Sequence, residues 1–295
     1  MKQTIKKTAK KLLSFSGVIK NPAEDKTLDV AGIRLAINLA DGGGRLYQGR
    51  GSVEEARNQL YSRLAEKFRP DIVVDVGANY GFTAAVFAQH FQEAELILIE
   101  PDPNLSSYIE KNMKLNRISR YRLLQSICSD ETVNEVPFGI NPSGSQDNRV
   151  KPAEGWKEVK VSSVTITDIL SAHRNTSVFI KIDTQGFETQ VFKGAEGYLT
   201  SSDNWFVKSE FAPQWLESQG NSPEELLHYL VSRYRVVEGP ARTRYNRDSL
   251  REIFESPLAR DEVGAFVEHV RNLNSNKKGW VDLYIAPKAA SKALE

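Results

Sequence analysis

Residues 71–91, which read DIVVDVGANYGFTAAVFAQHF, constrain the fold more than any other stretch of the chain. The stretch opens with a nearly continuous run of β-branched and aliphatic side chains, which is typical of a strand buried on both faces. A glycine turn follows, and apolar residues then recur at helical spacing. The stretch therefore predicts a strand at 71–77, a tight turn and a helix at 80–91.

The same alternation continues along the chain. Further strands are predicted at 95–102, 121–129, 177–183, 205–211, 234–239 and 280–287. Further helices are predicted at 52–68, 104–116, 188–199, 222–234 and 247–271, and a β-rich excursion at 133–166. Continuous apolar strands separated by helices predict an α/β fold, in which a mostly parallel sheet carries helices on both faces.

The chain shows no clear internal boundary, and we predict one main domain at 51–288. Residues 1–50 are predicted to be a leader that contains one short strand, LDVAGIRLAINL, and a glycine-rich loop at 41–44. Residues 289–295 are predicted to be a tail. Ser52 and Ser222 are the expected caps of two helices, and Asn104 or Pro103 is expected to start a third.

Composition excludes several classes of protein. Thirty-nine basic and 38 acidic residues leave a net charge of +1, so no global polycation argues for nucleic-acid binding. The single cysteine, Cys128, excludes an internal disulfide and fits a reducing compartment. No apolar run approaches the ~20 residues that span a bilayer. We predict a cytoplasmic protein, in which residues 2–15 form either a solvated leader helix or a basic amphipathic contact with a membrane surface.

The first glycine turn predicts a cofactor site, because ligands of open α/β sheets bind at the carboxyl ends of the strands. The candidate cofactor-binding residues of this turn are Asp75, Gly77, Ala78, Asn79 and Gly81. Their spacing is G-x-x-x-G, which lacks the middle glycine that brings a backbone against a pyrophosphate. A cofactor that has an amino-acid tail and no phosphate fits better, with Asp75 accepting from its ammonium group.

The end of the second strand supplies an acid for a ribose. Glu100 leaves this strand about 20 residues after the glycine turn, where a carboxylate accepts both ribose hydroxyls. Glu100 is preferred to Asp102 for this role, with Pro101 beside it. Together with the glycine turn, Glu100 favours S-adenosylmethionine as the cofactor.

Four blocks of sequence resemble one known family. The blocks are DVGANYG at 75–81, IEPDP at 99–103, FIKIDTQGFETQVFKGA at 179–195 and VKSEF at 207–211. With them, the chain resembles the FkbM family of S-adenosylmethionine-dependent methyltransferases over about residues 71–240. The resemblance implies a Rossmann-like sheet of seven strands with an antiparallel last strand, and O-methyl transfer to a hydroxyl of a sugar or glycosylated substrate. Gln185 stands where many relatives carry glutamate.

Three candidate catalytic residues lie within the third of these blocks. Lys181 and Asp183 are two residues apart on a strand and share one of its faces. Asp183 is the candidate for positioning or deprotonating the hydroxyl, and Lys181 is expected to hold it ionised or to bind substrate. Glu188 lies at the start of the next helix, where the helix dipole favours an acid. A structural ion pair for the first two and a plain helix-start acid for the third are the alternatives.

Substrate contacts are predicted from two other places. Glu210 ends the fifth strand of the sheet, and Asp147, Asn148 and Arg149 lie in a polar loop that either overhangs the site or is a solvated surface loop. No metal is expected, although a divalent cation held by Asp183, Glu188 and Glu210 is an open alternative. Two other functions also stay open at this point, a nucleotide-dependent oxidoreductase and a non-catalytic scaffold that keeps the fold.

Overall fold

A computed structural model describes residues 25–173, 175–239 and 256–288. The strands are β1 Asp25–Val30, β2 Ile33–Asn38, β3 Ile72–Val76, β4 Glu95–Ile99, β5 Tyr121–Leu124, β6 Ser126–Cys128, β7 Val136–Ile140, β8 Lys157–Val164, β9 Val178–Ile182, β10 Trp205–Phe211, β11 Arg235–Glu238 and β12 Val281–Ala286. The helices are α1 Gly42–Leu46, α2 Gly51–Lys67, α3 Phe82–His90, α4 Pro103–Leu115, α5 Ile166–Ile169, α6 Glu188–Ser201, α7 Pro213–Ser218, α8 Pro223–Arg233 and α9 Val263–Asn272.

A seven-stranded sheet in the order β11-β12-β10-β9-β3-β4-β5 organises the fold. Strands β10, β9, β3, β4 and β5 are parallel to one another, and β12 runs antiparallel to both of its neighbours. Every residue of β3 and of β9 is buried, as their continuous apolar sequences predict. Two hydrophobic clusters lie on the two faces of this sheet. The predicted fold, a Rossmann-like and mostly parallel seven-stranded sheet with an antiparallel last strand, is confirmed.

The amino-terminal strand prediction is wrong in detail, because the segment forms a hairpin. Strands β1 and β2 pair antiparallel across a turn at Ala31 and Gly32, whose φ angles of 49° and 80° lie in the left-handed region. That turn divides the apolar run that reads as one strand. Apolar residues of β2 are buried in the same cluster as those of α3, so the hairpin belongs to the core beside the sheet. The predicted glycine-rich loop is in fact α1, capped by Asp41.

The predicted strand at 121–129 is also divided. Its first half, β5, is an edge strand of the main sheet, whereas its second half, β6, pairs with β8 in a separate sheet. That second sheet has the order β6-β8-β7 and is the β-rich excursion expected from the sequence. Because of this division, β6 lies near the carboxyl ends of the strands of the main sheet, whereas β5 stays at the edge of that sheet.

Helix boundaries follow the expected chemistry at two of three starts. Ser222 caps α8 by accepting from the Glu225 amide, as predicted. Helix α4 has Pro103 in its first turn, but its cap is Asp102. Helix α2 begins at Gly51, so Ser52 lies inside the helix and is not its cap.

Several expectations concern residues outside the described ranges. The first 24 residues of the predicted leader, the membrane contact at 2–15, the start of the helix predicted at 247–271 and the tail at 289–295 all lie there, and the domain boundaries remain predictions. Within the ranges described, no helix combines the length and the apolar character needed to cross a bilayer.

Candidate active site

A cavity of about 350 Å³ opens where the carboxyl ends of β3, β4, β9 and β10 meet. Ile99, Glu100 and Pro101 form the wall at the end of β4, and Glu210 lies at the end of β10. Most of the candidate residues predicted from the sequence line this cavity: Gly77, Ala78, Asn79, Glu100, Pro101, Asp147, Asn148, Arg149, Lys181, Asp183 and Glu210. Three others, Asp75, Gly81 and Glu188, do not.

The glycine turn has several positive φ angles, and at Gly77 a contact within the protein requires glycine. Gly77, Asn79 and Gly81 all have positive φ angles, of 77°, 51° and 74°. A Cβ atom on Gly77 would lie 2.0 Å from the carbonyl oxygen of Asp183, so glycine is required by contact with the end of β9. Gly81 caps α3 and faces Met113, which places it behind the cavity. Gly81 therefore packs at the start of α3 and does not line the cavity, and its contact with a cofactor stays a prediction.

Glu100 is held in a fixed position at the wall of the cavity. Its Oε2 accepts from the Asn79 amide at 2.8 Å and its Oε1 from the Asp102 amide at 2.9 Å. Burial raises the pKa of the Glu100 carboxyl to about 8. Because each carboxylate oxygen has a second lone pair, Glu100 retains acceptor capacity for two ligand hydroxyls. A buried acid at a cavity wall, beside a turn that lines the same cavity, fits the ribose of S-adenosylmethionine.

Asp75 lies beneath the cavity and not in its wall. It is fully buried and stands in register with Lys181 on the neighbouring strand, with 3.0 Å between Lys181 Nζ and Asp75 Oδ1. Burial raises the pKa of Asp75, and the Lys181 charge opposes that rise. Burial alone would lower the pKa of Lys181, but the charges of Asp75 and Asp183 raise it. The predicted contact of Asp75 with a cofactor ammonium is thus replaced by an internal ion pair.

Lys181 ties this ion pair to the two loops of the site. Its ammonium donates to the Gly77 carbonyl at 2.9 Å and lies 3.7 Å from Asp183 Oδ2. The residue lines the cavity but is 7% exposed. It therefore fixes the glycine turn relative to Asp183 and leaves that carboxylate opposite a positive charge.

Glu188 supports the second loop from within. Its Oε1 accepts from the amide and hydroxyl of Thr184, both at 2.9 Å, and from the Gly186 amide at 3.3 Å. The side chain is 2% exposed, and burial raises its pKa. The catalytic role predicted for Glu188 is corrected, because its carboxylate is enclosed and holds the turn that follows β9.

A glutamine joins two acids, Asp183 and Glu210, at the end of the cavity beside β9 and β10. Gln185 Nε2 donates to Asp183 Oδ1 at 3.0 Å and to Glu210 Oε2 at 3.3 Å. Gln185 has a φ angle of 55°, and this turn brings its amide between the two carboxylates. Burial and then the Asp183 charge raise the pKa of Glu210 well above its usual range. The sequence indicated both acids but not this bridge, which depends on a turn conformation that residue spacing does not reveal.

The segment 141–149 covers one side of the cavity with its residues 145–149 and is anchored at two points. Asp41 accepts from the amide and hydroxyl of Ser145, at 2.8 and 2.6 Å. Asn148 donates to Asp102 Oδ2 at 3.0 Å. We call this segment the roof. Asp41 was not found from the sequence, because only the fold brings α1 against the roof.

Arg149 lies in the roof between two indole rings. Its Cζ is 4.7 Å from the ring centroid of Trp156 and 5.2 Å from that of Trp215. Asp147, two residues before it, accepts from the Asn141 amide group at 3.3 Å, and burial raises its pKa. The polar loop predicted from the sequence therefore overhangs the site and is not a solvated surface loop.

The divalent-cation alternative finds no support in the geometry. Within the described ranges, no group of three or more His, Cys, Asp or Glu side chains is arranged to hold a metal ion. Asp183 and Glu210 share the Gln185 amide, whereas Glu188 points into the turn behind them.

Comparison with known families decides the class of this protein. The FkbM domain model of methyltransferases matches residues 75–237, which is more than half of the chain. The chain belongs to the FkbM methyltransferase family. The family resemblance seen in the sequence is thereby confirmed, and so is S-adenosylmethionine as its cofactor. Among the alternatives, the oxidoreductase is excluded by this assignment.

One relative and two solved structures are similar to this FkbM chain. The 2-O-methyltransferase NoeI of Sinorhizobium fredii is 27% identical over 193 residues, covering 59% of this chain and 76% of the relative. TYW2 of M. jannaschii, solved in complex with AdoMet, has a TM-score of 0.45 at 10% identity, covering 91% of this chain and 87% of that one. A transferase from Pyrococcus horikoshii has a TM-score of 0.43 at 14% identity, covering 90% and 73%. The family assignment rests on the family model and not on these structures.

Proposed function

We propose that this FkbM protein is an O-methyltransferase that acts on a hydroxyl of a sugar or glycosylated substrate. The observation that carries the proposal is the placement of Glu100 and Asp183 in the wall of one cavity, at the ends of β4 and β9. The name of the relative, a 2-O-methyltransferase, supports transfer to oxygen. The single cysteine and the cofactor are compatible with the cytoplasm, which we propose as the compartment.

The chain's own residues suit the cofactor at the β3–β4 end of the cavity. Glu100 would accept the ribose hydroxyls, while the backbone of Gly77, Ala78 and Asn79, with Pro101, would border the rest of the molecule. No basic residue precedes or follows the turn closely in the sequence, and Lys181, which reaches the Gly77 carbonyl, is already paired with Asp75, so the turn itself offers a phosphate no unpaired cation. When bound, S-adenosylmethionine supplies a methyl group on a sulfonium, whose neutral thioether leaving group needs no proton.

The acceptor hydroxyl belongs at the β9–β10 end. Asp183 would orient this hydroxyl and take its proton as the new C–O bond forms. Gln185 holds one oxygen of Asp183, and the Lys181 ammonium lies opposite the other, so the carboxylate is oriented before substrate binds. The side chain of Asp183 is 39% exposed, which leaves it accessible from the cavity. Holding the acceptor oxygen in line with the methyl group can supply roughly 7–11 kcal/mol of the barrier.

The test is the substitution Asp183→Asn. It should lower turnover about 10²–10⁴-fold, because the amide cannot take a proton, while S-adenosylmethionine affinity changes little. Methyl transfer is followed by mass spectrometry of a panel of glycans incubated with isotopically labelled cofactor, and cofactor affinity by calorimetry. Asp203→Asn, which alters an exposed acid before β10, is the matched control.

Two results would contradict the proposal. If the Asp183→Asn protein methylates the same glycan at the rate of the parent chain, Asp183 does not take the proton. If neither S-adenosylmethionine nor its demethylated product binds at millimolar concentration, the chain is a scaffold that keeps the fold.

A further inference from the structure

We propose that the acceptor of this methyltransferase carries a carboxylate group, and that Arg149 binds it. The inference rests on the proposed function, because it assigns a charge to the sugar that is placed at the β9–β10 end of the cavity. It makes an acidic sugar, such as a uronic acid, the substrate class. Nothing in the family assignment specifies a charge on the acceptor.

The first support is the way in which Arg149 is held. Its guanidinium lies between the Trp156 and Trp215 rings, with 4.7 and 5.2 Å from Cζ to the two ring centroids. Two aromatic faces restrain the plane of the group and leave its edge to form hydrogen bonds. A guanidinium fixed in this way has already lost the rotamer freedom that binding would otherwise remove.

The second support is the set of hydrogen bonds that this guanidinium lacks. Nε and Nη1 of Arg149 are both buried, and neither has a hydrogen-bond partner among the described residues. Buried polar groups are nearly always paired, and charged ones most strictly. Asp147, the nearest acid in sequence, is close enough for the Arg149 charge to oppose the rise of its pKa. It nevertheless forms no ion pair with Arg149 within 4 Å in the part of the chain that the structure describes, and its Oδ2 is engaged by Asn141. The missing partner is therefore sought among ligands.

A planar carboxylate is the group that such an edge recognises. Arginine presents parallel N–H donors in a fork that matches two carboxylate oxygens, and each of the unpaired donors of Arg149, Nε and Nη1, forms such a fork together with Nη2. Two other cations line the cavity. Lys181 is already shared between Asp75 and Asp183, and Arg50 lies in the segment that follows α1. The Asp183 carboxylate lies at the same end of the cavity, so an anion placed beside it would be repelled. Arg149 thus selects both the charge and the orientation of the acceptor.

Two molecules in the reaction can present a carboxylate, and position favours the acceptor. Trp215 belongs to α7, which follows β10, and its carbonyl lies against Gly186 after β9. In the sheet, β10 is two strands from β3 and three from β4. At about 4.8 Å for each strand, the end of β10 lies roughly 10–15 Å from the glycine turn and Glu100. The Arg149 guanidinium lies on the β10 side, against Trp215, although the residue before it, Asn148, contacts Asp102. The carboxylate of the cofactor's own amino-acid tail is therefore the less suitable ligand.

The experiment compares matched sugars in the presence of S-adenosylhomocysteine. Methyl glycosides of glucuronic, galacturonic and mannuronic acid, and their three neutral counterparts, are tested by saturation-transfer NMR. At least one uronoside should bind about tenfold or more tightly than its neutral counterpart, as a charge-assisted pair provides. Arg149→Gln should abolish this difference, whereas Arg149→Lys, which keeps the charge without the fork, should retain part of it.

The controls separate this inference from the proposed function. Thermal unfolding checks that each variant is folded, and calorimetry measures the affinity for S-adenosylmethionine. Equal binding of acidic and neutral sugars, no binding of any uronoside, or a preference that survives Arg149→Gln would overturn the inference while leaving methyl transfer intact. A loss of cofactor affinity in Arg149→Gln would assign the guanidinium to the cofactor carboxylate instead. Failure of the parent chain to bind the cofactor would refute the proposed function itself.

Discussion

Replacing Glu100 by glutamine tests the cofactor end of the cavity. Both oxygens of Glu100 accept backbone amides, from Asn79 and Asp102. A glutamine would turn an NH₂ group towards one of these donors and would lose the charge that strengthens bonds to ribose hydroxyls. A hydrogen bond to a charged group contributes about 1.5–3 kcal/mol. We therefore expect Glu100→Gln to cost about 2 kcal/mol of binding free energy, or roughly 30-fold in affinity, at a pH where the parent residue is ionised.

The raised pKa of Glu100 adds a dependence on pH with a definite sign. With a pKa of about 8, the carboxyl is largely protonated at pH 6 in the free protein. If hydroxyls bind to the ionised form, only about 1% of the protein is competent at pH 6 and about half at pH 8. Affinity should then rise nearly tenfold for each pH unit below 8 and level off above it. The raised pKa also gives the free protein a stability contribution that is present below about pH 4.5 and lost as pH rises through 8.

Calorimetry with 5′-methylthioadenosine is the suitable assay, because this nucleoside has the ribose but no amino-acid tail that titrates in the same range. The parent protein should show the rise in affinity between pH 6 and 9, and Glu100→Gln should show a flat and weaker profile. Glu95→Gln, which alters a partly exposed acid at the opposite end of β4, is the matched control and should behave as the parent. A flat profile in the parent protein, or equal affinities for parent and variant at pH 9, would refute the assignment of Glu100 to the ribose.

Three further substitutions test how the site is built. Gly77→Ala should lower the free energy of unfolding in urea by about 2 kcal/mol or more, because the new Cβ meets a carbonyl at the end of β9. Gly32→Ala is the control: its φ is similar and the space around it is open, so it should lower that free energy only by the backbone strain of its turn. Lys181→Met should lower the free energy of unfolding by about 3–5 kcal/mol, because it leaves the buried carboxylate of Asp75 unpaired. Lys160→Met removes an exposed ion pair and should lower it by less than about 1 kcal/mol. Equal effects of the two substitutions would contradict a buried ion pair at Lys181. Asp41→Ala should speed amide hydrogen exchange across the roof at least tenfold, since it removes the bonds that anchor it; unchanged exchange would show that the anchor is dispensable.

The sheet was predictable from the sequence because each central strand has a residue pattern that identifies it without reference to the rest of the chain. Strands such as β3 and β9 are short, continuous apolar runs followed by glycine turns, and both faces of the sheet bury them. The position of Glu100 was predictable for the same reason, since an acid that directly follows a buried parallel strand lies at the carboxyl end of the sheet. Lys181 and Asp183 were correctly placed together, because residues two apart on a strand share a face.

What the sequence did not reveal depends on register and on turns. Asp75 and Lys181 face each other because β3 and β9 pair in one particular register, and neither strand encodes its offset from the other. Glu188 turns inward to the amides of its own loop, which has no periodic pattern. The contacts of Arg149 with two indole rings depend on the tertiary fold, because Trp215 comes from α7 and Trp156 from the segment before β8.

The most direct measurement is a crystal structure of the chain with S-adenosylhomocysteine, at a pH above 8. Our account predicts the ribose hydroxyls within hydrogen-bond distance of Glu100, the amino-acid tail along the Gly77 turn and the sulfur atom facing Asp183. A nucleoside bound elsewhere, or one whose ribose points away from Glu100, would contradict it.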